Sequence, residues 1–255
     1  MRTILSLTAA AVCIVQISMA QVDPRWKPND PDRPLPPVIE AGQASTQDMP
    51  GRPPSDAIVL FDGKNLSQWA GEDGQAAKWV VVDGAMEVVP HRGFLHTRRA
   101  FGDCQLHVEF AEPVPAVGTD QGRGNSGVFL MGLYEIQVLD SYQSKTYADG
   151  QAGAVYGQFP PQVNASRAPG QWQTYDIIFH AARFDKHGKV LRPARMTVLH
   201  NGVLVQDNVE LSGPTAHHDR PPYKPTPEKL PLSLQDHGNP VRFRNIWVRE
   251  LSGGS

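Results

Sequence analysis

The chain of 255 residues has little cysteine, no surplus of basic residues and, after its first twenty residues, no long apolar run. One of the two cysteines lies in that leading stretch, so Cys104 alone remains and cannot form an internal disulfide. The 24 lysines and arginines are balanced by 26 acidic residues, which argues against a nucleic-acid-binding protein. No later stretch approaches the length of a membrane span. These absences favour a fold that depends on its hydrophobic core.

Common catalytic and metal-binding motifs are missing as well. The sequence contains no Gly-x-Ser-x-Gly elbow, zinc-peptidase helix, EF-hand loop or Cys-x-x-Cys pair. The glycine-rich residues 122–127 lead into a strand pattern, so they do not predict a phosphate cradle. His217, His218 and Asp219 could bind a metal ion, although a solvated loop is the simpler interpretation. A serine hydrolase and a structural zinc site are therefore poorly supported.

Composition divides the chain into three segments. Residues 1–20 predict a signal peptide, because a positively charged start precedes an apolar stretch and a small-residue cleavage signal. We therefore expect an exported protein, periplasmic or secreted. Residues 21–56 hold nine prolines, which predict an extended linker. Residues 57–251 form the predicted domain, and the six prolines of residues 214–231 predict a long loop inside it.

Within this domain the hydrophobic pattern has the period of strands, and we find no amphipathic helix of three turns. Residues 104–110 alternate between apolar and polar side chains, so Cys104 is interpreted as a buried small hydrophobe. The pairs Asp83-Gly84 and Asn201-Gly202 predict tight hairpin turns. About a dozen short strands with turn signals between them predict an all-β sandwich or barrel.

Polar residues cluster along one predicted strand, in residues 134–142. Glu135 and Gln137 share one face of this strand, and a bulge after Gln137 would bring Asp140 to the same face. Two carboxylates and an amide in a row suit acid–base chemistry, although a half-solvated strand has the same pattern. A glycine-rich loop further on could present Tyr156 in the same region.

A second polar cluster lies near the C-terminus. Gln235, Asp236 and His237 precede a turn, and a histidine beside a carboxylate can move a proton or bind a metal ion. Arg242 and Arg244 share a strand face and can bind oxyanions or carboxylates. A capped turn followed by a strand with a basic outer face is the alternative interpretation.

The order and spacing of several blocks resemble the 3-keto-disaccharide hydrolase domain family. The blocks that carry the resemblance are residues 60–66 with Trp69, residues 124–130, residues 134–142 and residues 234–251. Together they cover about residues 57–251. The resemblance implies a concanavalin-like jelly-roll sandwich of two antiparallel sheets, with carbohydrate held on its concave face.

The resemblance also implies a reaction and roles for the polar residues. A ketone at C3 of a sugar acidifies the hydrogen at C2, so a base can remove it and the enolate can expel the group at C1. Water then adds to the unsaturated sugar. The catalytic candidates are Glu135, His237 and Asp140, and the substrate-binding candidates are Asn125, Gln137, Tyr156, Gln235, Asp236, Arg242 and Arg244. No cofactor is certain, and a divalent metal bound by the ketone and the neighbouring hydroxyl stays open.

Two other functions remain open at this point. The spacing Glu135-x-Gln137-x-x-Asp140 is also similar to the Glu-x-Asp-x-x-Glu signature of laminarinase-type glycosidases. Here Gln137 replaces the middle acid and Asp140 replaces the distal glutamate, which disfavours a double-displacement glycosidase. A noncatalytic carbohydrate-binding module of the same fold would need aromatic platforms, for which the sequence offers Trp69, Tyr142 and Trp172. The favoured interpretation is a secreted enzyme that cleaves 3-keto-glycosides.

Overall fold

A computed structural model describes residues 24–251 of the chain. The predicted signal peptide, residues 1–20, lies outside the described residues. The chain splits into two compact units, and the described part of the smaller unit, residues 24–37, consists of turns and irregular backbone. The larger unit begins at Val38 and contains every strand named below. Between residues 24 and 251, no helix is long and apolar enough to cross a membrane.

The larger unit is built from short strands, with single-turn 3₁₀ helices at Asp120–Gly122 and Ala148–Gly150. In chain order the strands are β1 (Ile58–Phe61), β2 (Trp69–Gly71), β3 (Val80–Val82), β4 (Ala85–Glu87), β5 (Leu95–Phe101), β6 (Cys104–Ala111), β7 (Ser126–Leu130), β8 (Tyr134–Val138), β9 (Gln173–His180), β10 (Arg183–Phe184), β11 (Val190–Arg192), β12 (Arg195–His200), β13 (Val203–Glu210), β14 (Leu230–Leu234) and β15 (Arg242–Glu250).

These strands form two main antiparallel sheets. The larger sheet has the order β13-β12-β9-β6-β15-β4-β3, and β1 also pairs with β15. The smaller sheet has the order β2-β5-β14-β7-β8. Strands β10 and β11 form a separate hairpin. The predicted all-β jelly-roll sandwich of two antiparallel sheets is confirmed.

The core lies between the inner faces of the two sheets, because apolar residues alternate with polar ones along the strands. Strand β9 of the larger sheet buries Tyr175, Ile177 and Phe179 completely. Tyr134 of β8, in the smaller sheet, packs its ring 5.6 Å from the ring of Phe179. The Tyr175 hydroxyl donates to the backbone oxygen of Gln137 at 2.6 Å, so a buried hydrogen bond also joins the sheets.

Local turn chemistry explains two hairpins that the sequence predicted. Asp83 and Gly84 connect β3 to β4, and Asn201 and Gly202 connect β12 to β13. All four residues have φ angles between 49° and 78°, which is the geometry of type I′ turns. Cys104 is fully buried as predicted, and burial raises the pKa of its thiol to about 12.

Part of the segment predicted as a linker packs against the outer face of the larger sheet. Gln43 and Arg52 pair with each other, and we call residues 43–52 the strap. The Ser45 hydroxyl donates to the Glu109 carboxylate of β6, which is completely buried. The folded domain therefore begins before residue 57, because the strap covers polar groups of the sheet.

Arg242 and Arg244 lie far from the place that the sequence suggested for them. Both project from β15 onto the outer face of the larger sheet, where their guanidinium carbons lie 5.7 and 4.2 Å from the Trp172 ring centre. Arg244 also pairs with Glu109 at 2.7 Å. Their common strand face is thus confirmed, but β15 belongs to the other sheet from β8, and this separates them from Glu135.

The Glu109–Arg244 pair predicts a large loss of stability when one partner is removed. The side chains are 0% and 6% exposed, so Glu109→Ala leaves a guanidinium buried without its carboxylate. We expect the free energy of unfolding to fall by about 3–5 kcal/mol, as measured by urea denaturation. Glu210→Ala is the control, because it breaks the exposed pair with Arg195 and should cost less than ~1 kcal/mol. Equal losses in the two variants would contradict this role.

Candidate active site

A pocket of about 530 Å³ lies on the outer face of the smaller sheet, around strand β8. Its volume falls within the range of small-molecule sites. We call it the Glu135 pocket. It is lined by Gln121, Asn125, Phe129, Glu135, Gln137, Tyr147, Tyr156, Thr215, Ala216, His217, His218, Gln235 and His237. The structure therefore brings together six of the predicted site residues, and both polar clusters of the sequence contribute to them.

Glu135 is the buried acid of this pocket. It points away from the core because it alternates with Tyr134 and Ile136 along β8, yet it is only 5% exposed. Burial raises the pKa of its carboxyl group to about 8. Within residues 24–251, the Glu135 carboxyl group has no ion-pair partner that would oppose this shift. A carboxyl group that titrates near neutral pH can both take and return a proton.

The neighbouring strand β7 provides the space for the Glu135 side chain. Its register places Gly127 opposite Gln137 and Phe129 opposite Glu135. A Cβ atom on residue 127 would lie 2.5 Å from Oε1 of Glu135 and 2.8 Å from the Phe129 ring. Gly127 therefore leaves the space that the Glu135 carboxyl group and the Phe129 ring occupy. This explains why the block 124–130 has a glycine at this position.

Gln137 holds the Glu135 carboxyl group in place. When its NH₂ group faces Glu135, it donates to Oε1 of Glu135 at 3.2 Å and to the Ser126 backbone oxygen at 3.0 Å. In the opposite orientation the NH₂ group donates to Oε1 of Gln121 at 2.9 Å, but the amide oxygen then faces two other acceptors, Oε1 of Glu135 and the Ser126 oxygen. Because amide orientation is assigned from the hydrogen-bond network, we adopt the first arrangement.

The outer edge of β8 is covered by residues 153–156. The Gln137 N–H donates to the oxygen of Ala154, and the N–H groups of Gly153 and Tyr156 donate to the oxygens of Gln137 and Glu135. This segment presents Tyr156 to the pocket, as the sequence suggested. Its hydroxyl lies 2.6 Å from that of Tyr147. Burial and this hydrogen bond raise the pKa of Tyr147, which keeps its proton at neutral pH.

The proline-rich loop covers another side of the pocket. The Thr215 N–H donates to the β7–β8 turn at 2.8 Å, and the Thr215 hydroxyl accepts from the Glu135 N–H at 3.0 Å. These two bonds anchor the loop at the start of β8. His217 and His218 consequently line the pocket, although both are exposed. The loop that composition singled out thus forms part of the candidate site.

Two buried amide oxygens at the pocket lack a hydrogen-bond partner within the described residues. They are Oδ1 of Asn125 and Oε1 of Gln235. The Asn125 side chain is held in place, since its Nδ2 donates to the backbone oxygen of Gln121 at 2.7 Å. Buried acceptors are nearly always paired in folded proteins. A ligand that carries hydroxyl donors would pair both of them.

Asp140 and Asp236 do not line the Glu135 pocket, so the expected row of carboxylates is not formed. Strand β8 ends at Val138, and Asp140 turns to pair with Arg123 at 2.6 Å. Asp236 accepts from two backbone N–H groups of residues 92 and 93, at 2.7 and 3.1 Å, and so anchors a loop. Among the residues described, Glu135 is the single carboxyl group that lines the pocket.

The same residues do not form an evident metal site. Between residues 24 and 251, no three His, Cys, Asp or Glu side chains are arranged to hold a metal ion. Glu135 and the imidazoles of His217, His218 and His237 therefore do not converge on one point.

Sequence reasoning missed several residues of the pocket: Gln121, Phe129, Tyr147 and Thr215. Phe129 lies in the block 124–130 and Thr215 lies in the proline-rich loop, so the sequence had already singled out both segments. Gln121 and Tyr147 reach the site through tertiary contacts alone. Gln121 donates to Thr146 at 2.9 Å and to Gly150 at 3.0 Å, which ties the two 3₁₀ segments together.

Comparison with known proteins places these features in a family context. Residues 56–249 match the 3-keto-alpha-glucoside-1,2-lyase-like domain. A candidate glycosyl hydrolase from Parabacteroides distasonis is 43% identical, with a TM-score of 0.82 over 86% of this chain and 93% of that one. Two others from that organism are 19% and 24% identical, with TM-scores of 0.57 and 0.55, over 77% and 76% of this chain and 94% and 99% of theirs. These two show similarity of fold alone. No curated protein matches the chain.

The raised pKa of Glu135 predicts that this group makes the folded protein less stable as pH rises. Its ordinary pKa is 4.5 and its pKa in the folded protein is about 8, so the folded state binds the proton more tightly. The resulting stability is complete below pH 4.5 and lost on passing pH 8. We expect a decline of about 5 kcal/mol from this group, at ~1.4 kcal/mol per pKa unit. Urea unfolding of Glu135→Gln should show a correspondingly smaller decline.

Comparing how steeply the free energy of unfolding falls with pH in the wild type and in Glu135→Gln separates the effect of Glu135 from that of other groups. Burial also raises the pKa of Glu112 to about 8, so the variant keeps the decline that Glu112 causes. Glu210→Gln, at an exposed position, is the matched control and should leave the pH dependence of the wild type unchanged. If Glu135→Gln and the control behave alike, the buried carboxyl group does not titrate as described.

Proposed function

The chain belongs to the 3-keto-alpha-glucoside-1,2-lyase-like domain family, and from this membership we propose that it is an enzyme that cleaves 3-keto-glycosides. One observation carries the proposal. Glu135 is the single carboxyl group that lines the pocket among the described residues, and burial raises its pKa to about 8. A lone base of this kind fits a proton abstraction better than a mechanism that needs two acids.

A conventional glycosidase would require a second carboxyl group near Glu135. Retaining and inverting enzymes use a pair about 5–10 Å apart, one on each side of the scissile bond. The candidate partner, Asp140, is 2% exposed and is engaged by Arg123 outside the pocket lining. The middle acid of the laminarinase-type signature is Gln137, which cannot ionise. The geometry therefore favours a reaction in which a group of the substrate, and not a second carboxyl group of the protein, makes the glycosidic bond easier to break.

A ketone at C3 supplies such a route. Removal of the C2 proton leaves an electron pair that is delocalised onto the ketone oxygen as an enolate. Ionised Glu135 takes that proton, the C1=C2 double bond forms, and the bond from C1 to the glycosidic oxygen breaks. The departing oxygen takes up a proton and leaves as an alcohol. Addition of water across C1=C2, with hydroxyl at C1 and hydrogen at C2, then completes net hydrolysis.

The other residues of the pocket suit the remaining steps. The unpaired oxygens of Asn125 and Gln235 accept hydrogen bonds from sugar hydroxyl groups. Gln137 orients the base through its hydrogen bond to Glu135. The departing oxygen needs a proton donor, and the pocket offers the hydroxyl of Tyr156 and the imidazole of His237.

A noncatalytic binding module is less well supported by the structure. Trp69 is 1% exposed and donates its Nε1 hydrogen to a buried backbone oxygen, so it cannot act as a platform. Trp172 lies on the larger sheet with the Arg244 guanidinium over its ring. Tyr142 is exposed but does not line the Glu135 pocket. None of the three aromatic residues suggested for a module is therefore placed against this pocket.

We also propose that the enzyme acts in the periplasm or outside the cell. The signal-peptide pattern of residues 1–20 supports this location. N-terminal sequencing of the protein recovered from its native compartment tests it, and a mature chain that starts at Gln21 is the expected result.

Turnover of a 3-keto-disaccharide and of its unoxidised parent tests the proposed reaction. The wild type should cleave the keto sugar alone, because the parent lacks an acidic C2 hydrogen. Its rate should rise with pH towards a midpoint near 8, where Glu135 becomes ionised. Glu135→Gln should lower kcat by about 10²–10⁴-fold. Cleavage of both sugars would indicate a conventional glycosidase, and binding without cleavage would indicate a module.

Gly127→Ala tests whether the position of Glu135 matters for turnover. The added methyl group would lie 2.5 Å from Oε1 of Glu135, so the carboxyl group must move. We expect a loss of kcat of at least about tenfold, since misplacement of a catalytic group by ~1 Å can cost 10²-fold. Gly122→Ala is the control for an added methyl group, because Gly122 lacks a positive φ and a Cβ there would meet no atom within 4 Å. Unchanged turnover in Gly127→Ala with folding intact would contradict the role of Glu135.

A further inference from the structure

A second cavity of about 480 Å³ adjoins the Glu135 pocket. Four residues line both of them: Tyr147, Tyr156, Ala216 and His218. The two cavities are therefore compartments of one cleft. The hydrogen-bonded tyrosine pair stands at the boundary, with the rings edge to face at 6.2 Å.

The second compartment is built from charged groups on a fixed backbone. Asp149, Asp219 and Arg220 line it. The Arg220 side chain donates to the oxygen of Gly157 at 2.9 Å, and the Gly157 N–H donates to the oxygen of Asp149 at 3.0 Å. Within residues 24–251, the Asp149 carboxylate itself has no hydrogen-bond or ion-pair partner. It is thus held in position with its acceptor oxygens available.

These charges define the class of ligand. Two carboxylates beside one guanidinium repel an acidic group and offer nothing specific to an apolar one. They match vicinal hydroxyl groups, which donate to carboxylates and accept from a guanidinium. The flanking tyrosine rings can cover the apolar face of a sugar ring. A neutral sugar ring fits this set of groups best.

We propose that the second compartment is a leaving-group subsite, which binds the neutral sugar that departs from C1. This inference rests on the proposed function, in which the 3-keto ring occupies the Glu135 pocket. The glycosidic oxygen then lies at the boundary, next to the hydroxyl groups of Tyr147 and Tyr156.

A third cavity, of about 540 Å³, meets the Glu135 pocket at His237 alone. Asp236, one of its two carboxylates, is engaged by backbone N–H groups. The third cavity shares one lining residue with the Glu135 pocket, whereas the second compartment shares four. The arrangement therefore favours the side of Tyr147 and Tyr156 for the leaving group.

Two substrates and one matched pair of variants test the subsite. The substrates are a 3-keto-disaccharide and the corresponding methyl 3-keto-glycoside, which lacks the second ring. Asp149→Ala should lower kcat/KM for the disaccharide about tenfold, as for loss of one hydrogen bond to a charged group. The value for the methyl glycoside should stay within about twofold. Asp207→Ala, an exposed acid on edge strand β13, should change neither value.

The outcomes separate the subsite from the proposed reaction. Equal losses on both substrates would assign Asp149 a structural role and overturn the subsite, as would no loss on either. If the wild type cleaves neither substrate, the proposed function fails, and binding decides the subsite alone. Calorimetry of Glu135→Gln should then show tighter binding of the 3-keto-disaccharide than of the methyl 3-keto-glycoside. Adding Asp149→Ala should abolish this difference, and equal affinities in Glu135→Gln would overturn the subsite.

Discussion

Strand β8 pairs with another strand on one side only, so the backbone N–H and C=O groups of its other edge require other partners. The segment that provides these partners determines which side chains surround Glu135. Residues 153–156 satisfy that edge and in doing so bring Tyr156 next to Glu135. On the core side, the Tyr175 hydroxyl of the larger sheet donates to the backbone oxygen of Gln137. The strand is thus held from its edge and from the opposite sheet. The Glu135 carboxyl group, carried by such a strand, therefore has a defined position before any ligand binds.

Two buried carboxyl groups, Glu112 and Glu135, destabilise the folded protein when they ionise. Glu135 and Glu112 are both almost completely buried, and burial raises the pKa of each to about 8. The two differ in their surroundings. Both oxygens of Glu112 accept from the Gln173 amide at 2.8 Å, whereas within residues 24–251 the Glu135 carboxyl group has the Gln137 amide as its one hydrogen-bond partner. A costly buried acid that opens onto a cleft is the kind of local conflict that marks functional sites.

Local rules predicted much of the fold, and long-range pairing decided the rest. The hairpins at Asp83-Gly84 and Asn201-Gly202 follow from backbone preferences within two residues. The common face of Glu135 and Gln137 follows from the period of a strand. The partners of Arg242 and Arg244 do not, because the sheet to which β15 belongs depends on distant strands. Strand β5 escaped prediction because two consecutive exposed arginines, Arg98 and Arg99, break its alternation.

The buried thiol of Cys104 has a practical consequence. It is the single cysteine among the described residues, it is inaccessible, and burial keeps it in the unreactive protonated form. In a chain without residues 1–20, which removes Cys13, a new cysteine on an exposed residue of the proline-rich loop, such as His217, would therefore react selectively with a maleimide dye. A fluorophore at that point would report whether the loop changes position when a carbohydrate binds in the Glu135 pocket.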